Sequence, residues 1–119
     1  MLTPFGKFCN KLRIDLEINQ GEMAEALGVS NHLLSCIEHG KKSISSELLS
    51  KIQTVYKLTN SQFVELCQSA VDSPSTMKIN VEELTPDNQL LLLLLYYKLD
   101  KLTGEERSQI KKILLTDEE

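Results

Sequence analysis

The sequence predicts an all-α protein in two parts: a five-helix domain, then a small C-terminal helical segment, with room for one short strand between them. Three observations predict it. Between residues 3 and 70, apolar residues recur at helical spacing in short stretches, each opened by a residue suited to capping a helix. Residues 71–76, Val-Asp-Ser-Pro-Ser-Thr, are polar and carry a proline, and read as a linker. Six consecutive leucines, Leu90 to Leu95, then follow a strong helix start at Thr85-Pro86-Asp87. The divisions are residues 1–71, a linker over 72–84, and a helical hairpin over 85–119.

The first helix starts at Thr3 as N-cap, with Pro4 at the first helical position. Phe5, Phe8 and Leu12 form its inward stripe, and it ends near Leu16 to Ile18. Asn19 caps a second helix over about 20–27. Ala24 is small where two helices must approach, and Gly28 can take the positive φ that turns the chain. Ser30 caps a third helix over about 31–38, which ends at Gly40. Leu27, Val29, Leu34 and Ile37 supply the apolar faces that lock these two helices together. Ser45 or Ser46 caps a fourth helix with Leu48, Leu49, Ile52, Val55 and Tyr56 on its core face. Thr59 or Asn60 starts a fifth, with Phe63, Leu66, Cys67 and Ala70 inward.

Beyond the linker, residues 77–81 alternate apolar with polar and suit a short strand. Nothing else in the chain reads as its partner, so a strand from a second subunit is one solution. The leucine helix runs to about Leu99 and is apolar on every side, which marks a buried helix. A last helix begins at Thr103, with Glu105 and Glu106 in its first turn, Lys111 and Lys112 near its end, and one stripe of Ile110, Ile113 and Leu114. One such helix cannot cover all faces of the leucine helix. Either the leucine helix also packs on the N-terminal domain, or Leu90, Leu91, Leu93, Leu94 and Tyr97 form a homodimer core.

Composition sets limits. The chain has 119 residues, 41% hydrophobic and 25% charged, with no Trp, so its core is aliphatic. No cationic segment followed by an apolar run opens it, which argues against a secretory signal. The longest apolar run, Leu90 to Tyr97, is too short to span a bilayer. Cys9, Cys36 and Cys67 are an odd number at wide spacing, fitting buried thiols in a reducing cytoplasm. Net charge is −4. Residues 1–71 hold seven basic and seven acidic residues, so the whole negative excess lies in residues 72–119, with six basic against ten acidic. The N-terminal part is therefore neutral, not repulsive, toward a polyanion.

The residues over 20–39, QGEMAEALGVSNHLLSCIEH, resemble the helix-turn-helix of lambda-repressor-like (Xre/Cro-type) transcription regulators. The resemblance covers about residues 3–70. It rests on Gln20, Ala24, Leu27-Gly28-Val29-Ser30, Ile37-Glu38, then Gly40 with Lys41 and Lys42, and on Leu12-Arg13 before the motif. It implies a five-helix DNA-binding domain, an Arg13–Glu38 ion pair tying the first helix to the third, and contact of Gln20 with a phosphate and a base edge. It also implies a homodimer on a palindromic operator, repressing a nearby promoter, often its own.

The residues themselves add detail. Ser30, Asn31, His32, Ser35 and Cys36 face outward on the third helix. Asn31 is the best base reader, because its amide makes two hydrogen bonds to adenine. His32 donates or accepts, and Leu33, half inward, suits a thymine methyl. The helix has no Arg or Lys, so the commonest guanine contact is missing and half-sites containing A·T are favoured. Lys41 and Lys42 follow it as phosphate anchors, with Lys7 and Lys11 as weaker ones. His32, Cys36 and His39 are zinc-ligand types at i, i+4, i+7, but a fourth ligand is missing and no metal or other cofactor is expected. No phosphate loop or nucleophile–base arrangement supports an enzyme. The carboxylates at 82–83, 105–106 and 117–119 read as caps and a solvated tail. Two rival functions are an antitoxin whose C-terminal hairpin binds a toxin or another effector, and an interaction module that has abandoned DNA.

Overall fold

The computed structural model describes residues 1–116; the acidic stretch 117–119, read as a solvated tail, lies outside the described residues. In chain order the elements are α1 (Pro4–Leu16), α2 (Gln20–Leu27), α3 (Asn31–Glu38), β1 (Ile44–Ser45), α4 (Ser46–Tyr56), α5 (Asn60–Asp72), β2 (Met77–Lys78), α6 (Pro86–Lys98), a 3-10 turn (Leu99–Lys101) and α7 (Gly104–Leu114). The chain divides into two units, the first spanning Met1–Ile79 and the second starting at Asn80. The fold is the all-α one the sequence predicts, with a two-stranded parallel sheet added.

Each helix of the first unit starts where its local chemistry requires. Thr3, Asn19, Ser30, Ser45 and Thr59 each turn a side-chain oxygen onto a backbone N–H three residues on, an arrangement worth about 1 kcal/mol per helix. Asn19–Glu22 and Thr59–Gln62 close the cap in both directions. Gly28 ends α2 at φ 73°, and its N–H reaches back to the Ala24 and Glu25 carbonyls. Gly40 takes φ 78° behind α3, and the following N–H, from Lys41, donates to Cys36 O at 2.8 Å. These two left-handed turns set where α2 and α3 stop.

The core gathers Phe5 and Cys9 from α1, Met23, Ala24 and Leu27 from α2, Leu34 and Ile37 from α3, Leu48 and Ile52 from α4, and Leu66 and Ala70 from α5. Phe8, Leu12, Leu49, Tyr56 and Phe63 pack at its edge. Val55 departs from the sequence reading. It lies on the apolar stripe of α4 yet stays 42% exposed, because the neighbouring helices cover a narrower band than the stripe is wide. Cys67 is half-buried rather than inward.

The strand also differs from expectation. Met77–Lys78 pairs with Ile44–Ser45 of the same chain, in parallel, with Ile44 opposite Met77. Ile44 N donates to Thr76 O at 2.9 Å, and Phe5 N donates to Ser73 Oγ at 2.9 Å. Residues 73–78 thus form a strap across the start of α1 and the segment after α3. Ile44 becomes a core residue, and the strand needs no second subunit to satisfy it.

In the second unit, Thr85 caps α6 and Thr103 caps α7 through a two-way cap with Glu106. No side chain of α6 is buried. Leu92 and Leu95 are partly covered, whereas Leu90, Leu91, Leu93, Leu94, Tyr96 and Tyr97 are exposed. On α7 only Ile110 is partly covered; Ile113 and Leu114 are exposed. No helix among the described residues is long and apolar enough to cross a membrane.

Candidate nucleic-acid interface

α3 shows two faces. Leu34, Ile37 and Glu38 are buried against the domain. Asn31 and His32 are exposed, Leu33 is at its edge, and Ser35 and Cys36 are half-buried. The helix has eight residues and is therefore about 12 Å long, a length that fits along a few base pairs of a major groove. Its amphipathic division follows from the spacing of Leu34, Ile37 and Glu38, which leaves the intervening side chains outward.

One buried carboxylate holds this helix in place. Glu38 Oε2 accepts from Arg13 Nη1 at 2.7 Å, and Oε1 accepts from Nη2 at 2.9 Å. This is the two-pronged geometry in which a guanidinium and a carboxylate match best. Arg13 is almost wholly buried and Glu38 fully so. The hydrogen bonds to Glu38 push the Arg13 pKa up. Nη1 also approaches Met23 Sδ at 3.4 Å, so the pair touches α1, α2 and α3 at once. The Glu38 carbonyl accepts from Thr3 N at 3.1 Å and from Thr3 Oγ1 at 2.8 Å. Gly6 packs against this carbonyl so closely that a Cβ there would overlap it. Burial, with Glu38 nearby, pushes the neighbouring Cys9 thiol up to about 12.

The candidate contact residues fall at different places on this frame. Ser30 spends its oxygen on Leu33 N at 3.0 Å, and its hydroxyl proton is left to donate. Asn31 stands exposed at the first turn of α3. Cys36 Sγ lies 3.6 Å from His32 Nε2, so these two form a pair on the outer face. His39 meets Ser35 O through Nδ1 at 2.8 Å. No group of three or more metal-ligating side chains is found among the described residues. Lys41 and Lys42 are exposed directly after Gly40, and Lys7 and Lys11 are exposed on α1. Gln20 is half-buried and gives its amide nitrogen to Glu38 Oε1 at 3.3 Å.

Sequence reasoning missed Gly6, the strap and the Gln20–Glu38 bond. Gly6 alone left a trace, as a glycine inside a helix whose cost of about 1 kcal/mol asks for a packing reason.

Residues 10–60 match the model of the family described as Helix-turn-helix. No curated protein and no solved structure matches the chain.

Proposed function

With residues 10–60 a helix-turn-helix domain of the lambda-repressor-like kind, and so a DNA-binding domain of transcription regulators, we propose that the chain is a homodimeric, cytoplasmic repressor of a palindromic operator, acting on a nearby promoter, often its own. Each subunit lays the outer face of α3 in the major groove. Asn31, His32, Ser35 and Cys36 read bases, Ser30 and Gln20 support the edge of the contact, and Lys41 and Lys42 fix the helix to phosphates. The observation that carries the reading is the division of α3 into a clamped inner face and an exposed polar outer one. The two half-sites lie about one helical turn apart, roughly 34 Å.

The pairing of subunits rests on α6. Leu90, Leu93, Leu94 and Tyr97 follow i, i+3, i+4, i+7, lie on one side of the helix and are each more than half exposed. Leu91 flanks them. Leu92 and Leu95, the better covered pair, lie opposite. A seam of this spacing is the one two helices use to pack on each other. Dimerisation supplies what a neutral domain lacks, since nonspecific phosphate attraction is weak without net positive charge.

Electrophoretic shift with duplexes selected from a randomised pool tests the proposal. A salt-sensitive, sequence-dependent complex at micromolar protein is expected; its absence would sink the claim. A second reading, an antitoxin that represses its own operon, draws on Ile113 and Leu114, which stay exposed at 75% and 70%. Co-purification of a stoichiometric partner through α7 would favour it. The third reading, an interaction module without DNA, draws on the absence of Arg and Lys from α3.

A further inference from the structure

Gln20 and the buried ion pair look like separate devices, one facing DNA and one holding the fold. The structure joins them. Gln20 is the first residue of α2, where the cap formed by Asn19 and Glu22 fixes the backbone. Its Nε2 lies 3.3 Å from Glu38 Oε1, the same oxygen that takes Arg13 Nη2 at 2.9 Å. An ionised carboxylate only accepts hydrogen bonds. The amide must therefore turn its nitrogen to Glu38, and the flipped amide would set oxygen against oxygen. One N–H is spent on Glu38, leaving the second N–H and Oε1 for the half-exposed rim. Arg13 neutralises Glu38, so the buried acid does not repel an approaching phosphate.

We propose that Glu38 is a positioning residue for DNA binding: held by Arg13, it fixes the Gln20 amide so that the remaining N–H meets a backbone phosphate. The inference rests on the reading that the α3 face binds duplex DNA. Its physical content is preorganisation. A glutamine side chain loses much rotamer freedom when it is fixed. Here that loss falls on folding and is not charged to binding.

The test is a double-mutant cycle on a duplex selected from a randomised pool by the wild-type chain. The four chains are wild type, Gln20→Ala, Arg13→Met with Glu38→Leu, and the triple variant. Replacing both partners of a buried pair by apolar residues of similar volume keeps such cores folded in other proteins. Gln20→Ala is expected to weaken binding by the dimer about a hundredfold in the wild-type background, about tenfold for the one hydrogen bond to a charged group lost in each subunit. In the background without the pair it should weaken binding by less than about twofold, because an unheld Gln20 already contributes little. Equal factors in the two backgrounds would overturn the proposal, and so would no effect in either. Failure of wild type to select any duplex would instead remove the DNA reading beneath it. A second measurement needs no substitution in the pair. In the free wild-type protein, the Gln20 side-chain NH2 should show an NMR order parameter above about 0.6, the value below which a group counts as flexible. A value below about 0.6 would show a freely moving amide and refute the positioning.

Discussion

Gly6→Ala sets helix propensity directly against packing. Alanine in a helix interior is favoured over glycine by about 1 kcal/mol, so on propensity alone the substitution stabilises α1. The surroundings reverse the sign. A Cβ at residue 6 would overlap the Glu38 carbonyl oxygen, and would lie 2.9 Å from Leu2 Cδ2 and 3.1 Å from the Glu38 carbonyl carbon. Leu2 can swing aside. The carbonyl cannot, because Arg13 grips the same residue's side chain and Thr3 donates to the oxygen twice. Overpacking of this sort costs about 1–3 kcal/mol. Stretching the two Thr3 bonds costs about 1 kcal/mol each. Subtracting the propensity gain leaves a net loss of about 2–4 kcal/mol. In a unit of this size each kcal/mol shifts the midpoint by about 4–8 °C, so a fall of more than about 8 °C is expected. Urea unfolding followed by circular dichroism should show a lower midpoint at unchanged slope. Gly104→Ala is the control: nothing lies within 4 Å of its added Cβ, and it should be neutral or stabilising by up to about 1 kcal/mol. Gly6→Ala at or above wild-type stability would refute the close approach of α1 to the end of α3.

Four further outcomes follow from the same geometry. Asn31→Ala, on an exposed face, should change stability by less than about 0.5 kcal/mol while weakening operator binding about tenfold or more; equal binding would remove Asn31 as a reader. Lys41→Ala and Lys42→Ala should each flatten the plot of log binding constant against log salt by about 1.8 per dimer, one phosphate contact in each subunit; an unchanged slope would place these lysines off the phosphates. Leu93→Glu should convert a dimer to a monomer in analytical ultracentrifugation and leave only nonspecific affinity, about 10⁻⁴–10⁻⁶ M; a dimer that persists would move the interface away from the α6 seam. Cys9 supplies an alkaline signature. Its thiol is pushed up to about 12 by burial, whereas an unfolded thiol ionises near its ordinary value of 9.0. The unfolded chain therefore gives up a proton that the folded one keeps. Stability from this group is complete below about pH 8.5 and drains as pH rises toward 12, by at most about 1.4 kcal/mol per unit. Urea midpoints between pH 8 and 10 should fall more steeply in wild type than in Cys9→Ala; parallel curves would contradict the burial argument.

What the residues announce in advance is what is decided within one turn of chain. The caps at Thr3, Asn19, Ser30 and Thr59, and the left-handed turns at Gly28 and Gly40, depend on neighbours three or four positions away, and each is readable there. Arg13–Glu38 is of another kind. Its partners lie 25 positions apart, and no spacing pairs them; the likeness to known regulators did. Where neither local chemistry nor likeness speaks, the reading fails. Ile44–Ser45 is too short to show a period of two, so its parallel register with Met77–Lys78 is invisible before the helices bring the two segments together. Val55 fails for a related reason: periodicity locates the centre of an apolar stripe, and only the neighbouring helices set its width.

The bonds that hold α3 are unevenly placed, and this bears on how a reader without Arg or Lys can work. Glu38 alone takes the two Arg13 bonds, the Gln20 bond and both Thr3 bonds. His39 folds back onto Ser35, Lys41 onto Cys36, and Ile44 is tied to the strap. At the other end, the first turn is held by the Ser30 cap, and Leu33 and the residues before it stand exposed. The hydrogen bonds that fix the helix thus concentrate at its C-terminal end, while Asn31 and His32 stay exposed at its N-terminal end, where the proposed function places the bases. A polar, uncharged reader gains little from long-range attraction, so its hydrogen bonds count only if the backbone presents them at fixed positions. Five hydrogen bonds on one buried glutamate supply that fixity, and the exposed Lys41 and Lys42, the phosphate anchors of the proposed function, follow directly beyond that end.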